Sequence, residues 1–301
     1  MTATVGRITV LALGLIGGSL AKAIKENGFA REVVGWGRGE ASLKKGLELG
    51  VIDRYSLDLF EAVDGADIVV IATPTLVCAQ MLHQLAKVVN SNTVITDVAS
   101  VKGSLLSAAH DAFGAVPANL VLAHPIAGSE KSGVAAARPD LFVNHRVIVT
   151  PTDETSLDAL RLVKQMWEST GAQISEMSVG EHDEVLAATS HLPHILAYSL
   201  VDALTGHKEK QDIFRYAAGG FRDFTRIASS DPVMWQEIAL ANRESILTMI
   251  DVFSEHLQGI RAAIDSGDGD TLLSSFKRAK QSRDDFAERL ARQRRGTNSD
   301  N

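Results

Sequence analysis

The sequence predicts an α/β N-terminal domain with a parallel sheet, followed by an all-α C-terminal domain. Two observations support this fold class. Up to about residue 149, short runs of β-branched residues alternate with helical stretches, which is typical of parallel strands covered by helices. Beyond residue 151 the chain has one more such run and then almost only patterns with the helical period of about 3.6 residues. We therefore expect the first domain to span residues 1–151, the second residues 152–291, and a disordered tail to follow at 292–301.

The predicted strands are short and contain mainly valine, isoleucine and leucine. They lie at residues 8–11, 33–34, 68–71, 94–95, 120–122, 147–149 and 173–177. The first six alternate with helical stretches, and connections of this kind join strands that run in the same direction. We therefore expect one parallel sheet in the first half of the chain.

The first long helix of the second half is predicted from a capping box. Ser178 and Glu181 have the spacing at which a serine hydroxyl and a glutamate satisfy free backbone N–H groups at a helix start. The helical pattern continues past Tyr198. Pro193 lies inside it and predicts a kink, because proline has no N–H to donate.

A second long helix is predicted to begin at Asp231 and Pro232, an N-cap followed by a proline at the first helical position. It carries an apolar stripe from Trp235 to Ile264, too long for one small core. We expect this stripe to be buried against a second subunit; the alternative is a large bundle within one chain. A glycine-rich break at residues 267–269 precedes a final helix.

Composition limits the classes of partner. The chain has 301 residues, of which 45% are hydrophobic, enough to bury one large core or two moderate ones. Its single cysteine, Cys78, cannot form an internal disulfide, which fits a reducing compartment such as the cytoplasm. The formal net charge of −7 disfavours binding to nucleic acid. We see no apolar run long enough to span a membrane, so we expect a cytoplasmic protein with small-molecule ligands.

A glycine-containing turn after the first predicted strand indicates a dinucleotide-binding, Rossmann-type domain. Gly14 lets the backbone approach a pyrophosphate, Gly17 lets the helix lie close to the strand, and the helix N-terminus offers N–H groups to the phosphates. Ala12 stands where this motif usually has its first glycine, and its methyl group is tolerable only at negative φ. The expected cofactor contacts of this region are Gly14, Leu15, Ile16 and Gly17, with Thr73 and Pro74 after the strand at 68–71.

The end of the second predicted strand indicates which nicotinamide cofactor is used. An acidic residue there binds the ribose 2′-hydroxyl of NAD and excludes a 2′-phosphate. This chain has Gly37 at that place, followed by Arg38, with Ser42 nearby. A guanidinium and a hydroxyl suit a phosphate, so we expect a preference for NADP, with NAD also possible.

Two candidate catalytic side chains follow neighbouring strands. Ser100 lies just beyond the run at 94–95 and His124 just beyond the run at 120–122. Ligands of open α/β sheets bind outside the carboxyl ends of the strands, so both side chains are expected to face the nicotinamide. Histidine is well suited to accept a proton near neutral pH as a hydride leaves a carbinol carbon.

Candidate substrate contacts come from the helical half. On one helix, Asp183 and His194 fall about 20° apart and His191 within about 80° of them. A metal site at these residues is a further reading, but histidines on a helix face are more often packed or hydrogen-bonded groups. The segment 219–228 contains Arg222 and Arg226, and arginine is the natural partner of a substrate carboxylate.

Taken together, these segments closely resemble the prephenate/arogenate dehydrogenase family, whose members act in tyrosine biosynthesis. The matching stretches are residues 14–19, 100–102, 124–133, 190–194 and 221–228, with Asp231, Pro232 and Trp235. The resemblance implies a Rossmann-type domain followed by an all-α domain that forms a homodimer. It also implies the reaction: oxidative decarboxylation of prephenate to 4-hydroxyphenylpyruvate, or of arogenate to tyrosine, with NAD(P)H and carbon dioxide released.

The resemblance also implies residue roles. His124 would accept the proton of the ring hydroxyl, and Ser100 would fix the imidazole and the nicotinamide. Arg226 would bind the ring carboxylate, with Asp183 as its ion-pair partner across the cleft.

Two more positions matter for the mouth of the site and for the choice of substrate. Glu130 would lie at the mouth. His194 would meet the substrate side chain, where a histidine favours a keto acid and hence prephenate. An arogenate-specific enzyme is the alternative within the family.

Two readings outside the family remain open. A β-hydroxyacid dehydrogenase shares the same domain plan, but it usually carries a catalytic lysine on the helical domain, and we find no comparable motif. An NADP-sensing protein without turnover would leave Ser100, His124 and Arg226 unexplained.

Overall fold

The computed structural model describes residues 4–129, 131–205 and 213–296. The chain divides into two units, Met1–Ile246 and Leu247–Asn301. None of the described helices is both long and apolar enough to cross a membrane.

One eight-stranded sheet lies in the first unit. Its strands are β1 Val5–Leu11, β2 Ala30–Trp36, β3 Arg54–Ser56, β4 Ile68–Ile71, β5 Val94–Asp97, β6 Leu120–Pro125, β7 Arg146–Thr150 and β8 Gln173–Glu176. Their order is β3-β2-β1-β4-β5-β6-β7-β8, the arrangement of a Rossmann-type sheet with two added strands. Each predicted strand is present, and β3 is an additional one.

The direction of β7 differs from the prediction of a wholly parallel sheet. β6 and β7 pair antiparallel, with His124 opposite Ile148, whereas all other neighbouring strands are parallel. Among its described residues, 126–129 and 131–145, the connection contains one short 3-10 turn at Val134–Ala136 and no crossover helix. Without that helix the chain returns directly, and β7 runs opposite to β6.

Helices cover both faces of the sheet. They are α1 Leu15–Glu26, α2 Glu40–Glu48, α3 Leu59–Val63, α4 Thr75–Leu85, α5 Gly103–Phe113 and α6 Leu157–Ser169. Alternate residues of β4 enter two separate cores: Ile68 and Val70 one, Val69 and Ile71 the other. Because both faces are covered, the central strands are apolar throughout, and this is why their sequences are continuous apolar runs.

The sheet domain extends beyond the boundary expected at residue 151. β8 pairs in parallel with β7, and Trp167 of α6 is fully buried against Phe142 in the first of the two cores. Residues 152–176 therefore belong to the sheet domain, and we place its end after Glu176.

Beyond Glu176 the described residues are mainly helical. The helices are α7 Val179–Leu186, α8 Leu192–Thr205, α9 Gly219–Thr225, α10 Pro232–Ala241, α11 Arg243–Ser266 and α12 Gly269–Gly296. The Ser178 hydroxyl accepts a hydrogen bond from the Glu181 N–H, as the capping box predicts. The Asp231 carboxylate caps α10 by accepting from the N–H groups of Val233 and Met234.

Two predicted long helices are interrupted. Between α7 and α8 the chain forms a π-helical turn, Ala187–His191, which ends two residues before Pro193. The wider turn accommodates the missing N–H of proline, so the irregularity precedes the proline where a simple kink was expected. The helix from Asp231 is interrupted at Asn242, between α10 and α11.

The predicted tail is partly helical. α12 ends at Gly296, so residues 292–296 continue a helix where disorder was expected. Residues 297–301 lie outside the described residues.

Candidate active site

The turn after β1 presents an open helix N-terminus. Gly14 is the N-cap of α1, and no side chain caps this end. A Cβ at Gly14 would have no neighbour within 4 Å, so the space beside this glycine is open. Uncapped N–H groups beside open space fit the pyrophosphate of a dinucleotide. The dinucleotide contacts predicted at Gly14, Leu15 and Ile16 remain a prediction.

Gly17 is required by close packing. A Cβ there would lie 2.4 Å from the Ala12 carbonyl oxygen and 2.7 Å from the Ala72 Cβ. Any side chain would push α1 away from β1, so this position performs the packing role predicted for it.

Ala12 adopts the conformation that the sequence argument disfavoured. Its φ is +78°, in the left-handed region, where we expected a negative value. The Ala12 N–H donates to the Trp36 carbonyl at 2.7 Å, which ties the turn to β2. The turn geometry thus prevails over the local preference of alanine, at a cost of about 1–2 kcal/mol for an L-residue in this region.

Three further side chains border the expected nucleotide site. Thr73 follows β4, and its buried hydroxyl has no hydrogen-bond partner within the described residues. An unpaired buried hydroxyl at the carboxyl end of a strand fits a hydrogen bond to a bound ligand. Arg38, just after β2, and Ser42, in the first turn of α2, are both exposed. Space near Gly37 would admit a side chain, since a Cβ there would meet only Leu43, at 3.8 Å.

His124 lies near the carboxyl end of β6 and is buried, with 8% of its surface exposed. Its Nδ1 lies 2.9 Å from Nε2 of His182, a residue of α7 that is fully buried. The other ring nitrogen of His182, Nδ1, lies 2.7 Å from Oδ1 of Asp183. The site therefore contains a continuous line of polar contacts from Asp183 through His182 to His124.

Asp183 is held in turn by the start of α5. Its Oδ1 accepts from the Lys102 N–H at 2.9 Å, and its Oδ2 accepts from the Gly103 N–H at 2.8 Å. No ion pair joins Asp183 to Arg226 in the described structure, which corrects the pairing that the resemblance implied. Both carboxylate oxygens already have partners, so Asp183 orients its neighbours and does not contact a guanidinium.

A buried ion pair fixes the strand that carries His124. Lys102 is fully buried; its Nζ pairs with Asp97 and donates to the Ala123 carbonyl at 2.7 Å. Asp97 also accepts from the N–H groups of Ala99, at 2.8 Å, and Ala123, at 3.1 Å. The ends of β5 and β6 are thereby joined one residue before His124.

Burial sets the protonation of this network. Burial lowers the pKa of His124 well below the ordinary histidine value of 6.5, and the nearby charge of Lys102 lowers it further. Burial alone would raise the pKa of Asp183, but hydrogen bonds from His182, Lys102 and Gly103 outweigh it and lower that pKa. At neutral pH the site therefore holds an uncharged imidazole at 124 and a carboxylate at 183.

His191 is buried and hydrogen-bonded within the protein, and the substrate contact predicted for it stays a prediction. It is 1% exposed, and its Nδ1 accepts a hydrogen bond from Nδ2 of Asn242, at 3.1 Å. The same Asn242 nitrogen donates to the Asp183 backbone carbonyl at 2.8 Å. Burial lowers the pKa of His191 to about 4, so the ring is a neutral, packed group that joins α10 to α7. Within the described residues no group of histidine, cysteine and carboxylate side chains is placed to hold a metal ion.

His194 and Arg226 lie close to each other in the helical half. The His194 ring is half-buried and stacks on Trp235 with 3.6 Å between ring centroids. Its Nδ1 donates to the Ser190 carbonyl at 2.9 Å. Burial lowers the pKa of His194, and the charge of Arg226, which begins the short turn after α9, contributes to the lowering.

The remaining predicted residues are Ser100 and Glu130. Ser100 is half-buried in the loop between β5 and α5, two residues before Lys102, and its hydroxyl has no hydrogen-bond partner in the part of the chain that the structure describes. Glu130 lies outside the described residues.

The sequence argument assigned no role to His182, Lys102 or Asp97. Each stands beside a residue that was singled out or inside a quoted motif, but only burial and hydrogen bonding connect it to His124. The spacing of Asp97 and Lys102, five residues apart, is visible in the sequence. It would have indicated a buried ion pair only if the burial of Lys102 had been known, and the sequence does not show burial.

Comparison with protein families gives two matches that together span most of the chain. Residues 20–176 match the nucleotide-binding domain of prephenate dehydrogenase, and residues 178–278 match its dimerization domain. The division between the two matches coincides with the end of β8.

Known relatives agree with this result. The chain is 37% identical to the cyclohexadienyl dehydrogenase of Zymomonas mobilis over 92% of this chain and 94% of that protein. It is 41% identical to the prephenate dehydrogenase of Bacillus subtilis over 92% of this chain and 75% of that protein.

Among solved structures, prephenate dehydrogenase from Aquifex aeolicus, in complex with hydroxyphenyl propionate and NAD+, superposes with a TM-score of 0.87 and 34% identity. The match covers 93% of this chain and 98% of that one. Arogenate dehydrogenase from Synechocystis gives a TM-score of 0.80 and 28% identity, over 93% of this chain and 99% of that one.

Proposed function

The chain belongs to the prephenate dehydrogenase family, and from this premise we propose that it oxidises and decarboxylates prephenate to 4-hydroxyphenylpyruvate with a nicotinamide cofactor. The observation that carries the proposal is the uncharged, hydrogen-bonded His124 near the carboxyl end of β6, at the same edge of the sheet as the dinucleotide turn. A neutral imidazole in that place is ready to accept a proton.

In the proposed reaction, His124 and Ser100 have separate roles. A nicotinamide cofactor held at the dinucleotide turn would supply the acceptor for the hydride of the carbinol carbon. His124 takes the hydroxyl proton at Nε2, since its Nδ1 is engaged with His182. The free hydroxyl of Ser100 is available to position the ring hydroxyl or the nicotinamide. Loss of the proton and hydride leaves a dienone, whose conjugated carbonyl accepts the electrons of the departing carboxylate. Carbon dioxide leaves, the ring becomes aromatic, and the step is irreversible.

A specific observation favours arogenate as a second substrate. His194 uses its Nδ1–H on the Ser190 carbonyl, so the neutral ring offers its second nitrogen only as an acceptor. An acceptor suits the ammonium group of arogenate, whereas the keto acid of prephenate would require a donor. The sequence argument placed His194 with prephenate, so the two substrates have to be compared directly.

The proposed activity is tested by following the absorbance of the reduced cofactor with each acid in turn. We expect turnover with prephenate, together with release of one equivalent of carbon dioxide for each reduced cofactor. Reduced cofactor formed without carbon dioxide would instead indicate a simple hydroxyacid dehydrogenase.

Arg226 is proposed to bind the ring carboxylate. We expect Arg226→Ala to raise KM and leave kcat nearly unchanged, because it removes a charged hydrogen bond to the substrate worth about 1.5–3 kcal/mol. That energy corresponds to an increase in KM of roughly 10- to 150-fold. Arg222→Ala is the matched control: this arginine is exposed on α9, faces Asp223 at 3.8 Å, and is expected to matter little. Equal KM values for the two variants would refute the assignment.

The preference for NADP is also proposed. It is supported by Arg38, whose exposed side chain follows β2, and by Gly37 in place of an acidic residue. We expect Arg38→Ala to lower kcat/KM for NADP by about tenfold or more, the loss of one charge-assisted contact with a phosphate, and to change the value for NAD little. Arg31→Ala, an exposed arginine near the other end of β2, serves as the control. A ratio of NADP to NAD activity that is the same in the parent and in Arg38→Ala would remove Arg38 from the nucleotide site.

We also propose a homodimer formed through the helical domain. The support is the match of residues 178–278 to a dimerization domain and a series of apolar side chains that α11 leaves exposed in one chain. They are Leu247, Val252, Phe253, Leu257 and Ile264, with exposed fractions between 37% and 63%. Exposed apolar rows of this kind are normally covered by a partner.

A cytoplasmic location is also proposed. It is supported by Cys78, a single buried cysteine with a free thiol, which fits a reducing compartment.

A further inference from the structure

Three buried groups form a directed chain of hydrogen bonds that ends on His124. Asp183 lies 2.7 Å from His182 Nδ1, and His182 Nε2 lies 2.9 Å from His124 Nδ1. The two rings meet edge to face, with centroids 5.2 Å apart. Because every contact in the chain involves a ring nitrogen that either donates or accepts, the proton positions of the three groups depend on one another.

The direction of the chain is set at Asp183. A carboxylate only accepts, so the hydrogen between Asp183 and His182 is on His182 Nδ1. If His182 is neutral, its Nε2 carries a lone pair and accepts from His124. The hydrogen between the two rings is then on His124 Nδ1, and His124 Nε2 is left as the free acceptor.

The surroundings of His182 favour the neutral ring. His182 is fully buried, where an imidazolium would lose its hydration. The negative charge of Asp183 is already stabilised by two backbone N–H groups at the N-terminal end of α5, those of Lys102 and Gly103. Asp183 is therefore stabilised without a positive partner, and the buried cation Lys102 is paired with Asp97.

We propose that His182 is a positioning residue that holds His124 in the Nδ1–H tautomer and so presents His124 Nε2 to the substrate hydroxyl. The inference rests on the proposed function, because it explains how His124 is prepared to accept a proton. A doubly protonated His182 would have the opposite effect: it would donate to His124 Nδ1, and the hydrogen of His124 would then occupy the nitrogen that has to react. His182 does not touch the substrate in this account; it acts through His124.

Two substitutions at His182 separate the tautomer role from a merely structural one. His182→Gln places an amide oxygen near the position of Nε2, where it still accepts from His124 Nδ1–H. His182→Asn places its amide near the position of Nδ1, where it still contacts Asp183 but leaves nothing opposite His124. We expect His182→Asn to lower kcat by roughly 10²-fold with KM changed little, because a base without the correct tautomer loses much of its activity. His182→Gln is expected to recover most of that loss.

The kinetics are interpreted together with thermal unfolding and cofactor binding of both variants. A structural role predicts that the two substitutions lower kcat together, in proportion to the loss of stability. Equal losses in the two variants, or no loss in either, would overturn the inference.

A spectroscopic measurement on the unaltered protein tests the same inference without turnover. In protein labelled with ¹⁵N-histidine, the His124 signals are identified by their absence in His124→Asn. We expect the pattern of a neutral ring with hydrogen on Nδ1. Hydrogen on Nε2 would refute the inference even if both His182 variants failed to fold. The Nδ1–H pattern in a protein that turns over neither acid would instead count against the proposed function and leave the hydrogen-bond chain intact.

Discussion

Replacing His124 by asparagine is expected to lower kcat by roughly 10²- to 10⁴-fold, the usual range for the loss of a general base. The affinity for the cofactor is expected to stay the same, because the dinucleotide turn at Gly14 and Gly17 is separate from this side chain. Asparagine suits the test, since its amide nitrogen lies near the position of Nδ1 and still donates to His182. Initial rates with saturating cofactor and prephenate measure the effect.

His110→Asn is the matched control for this prediction, because His110 is an exposed histidine near the end of α5. Turnover of His124→Asn close to that of the control would refute the assignment of the base.

The pH dependence of the parent enzyme offers a consistency check on the same residue. The neutral ring of His124 is the active form, and burial lowers its pKa below 6.5. Activity is therefore retained as the pH falls through 6.5 and is lost only as it approaches the lowered pKa. A loss of kcat/KM centred above 6.5 would contradict this description of His124.

Lys102→Met is expected to lower the free energy of unfolding by about 3–5 kcal/mol, because it leaves the carboxylate of Asp97 buried without its cation. The Ala123 carbonyl also loses the hydrogen bond that Lys102 donates. Chemical denaturation followed by circular dichroism measures the change. Because Lys102 joins the ends of β5 and β6, the remaining folded protein is also expected to lose activity at His124.

Lys87→Met provides the control for the change in stability. Lys87 is exposed after α4, and surface substitutions of this kind alter the free energy of unfolding by less than about 0.5 kcal/mol. A difference between the two variants of under about 1 kcal/mol would mean that the buried pair does not hold the strand ends together.

The sequence predicted the strands that are buried on both faces of the sheet. β4 and β5 are covered on both faces and are therefore apolar runs that can be read directly. β3 was missed because this edge strand has the sequence Arg54, Tyr55, Ser56, which has no apolar pattern. The reversal of β7 was missed because strand direction depends on the connection before it, which was taken for a helical crossover.

The placement of a candidate residue in the fold was predictable where a motif has a fixed position, as at Gly17 and His124. The contacts of a residue were less predictable where they depend on groups from other elements of the fold. The resemblance implied that Asp183 pairs with Arg226, but the N-terminus of α5 and His182 contact both of its carboxylate oxygens. Helical spacing gives the direction of a side chain but not the groups that reach it first from other elements.

The central claim is that His124 and Arg226 bind one substrate molecule beside the nicotinamide. The most direct measurement is a crystal structure of His124→Asn with prephenate and the oxidised cofactor. We expect the ring hydroxyl within about 3.2 Å of the side chain at position 124, and the ring carboxylate within about 4 Å of the Arg226 guanidinium. Prephenate bound with its hydroxyl away from position 124, or with its ring carboxylate on a group other than Arg226, would contradict the account.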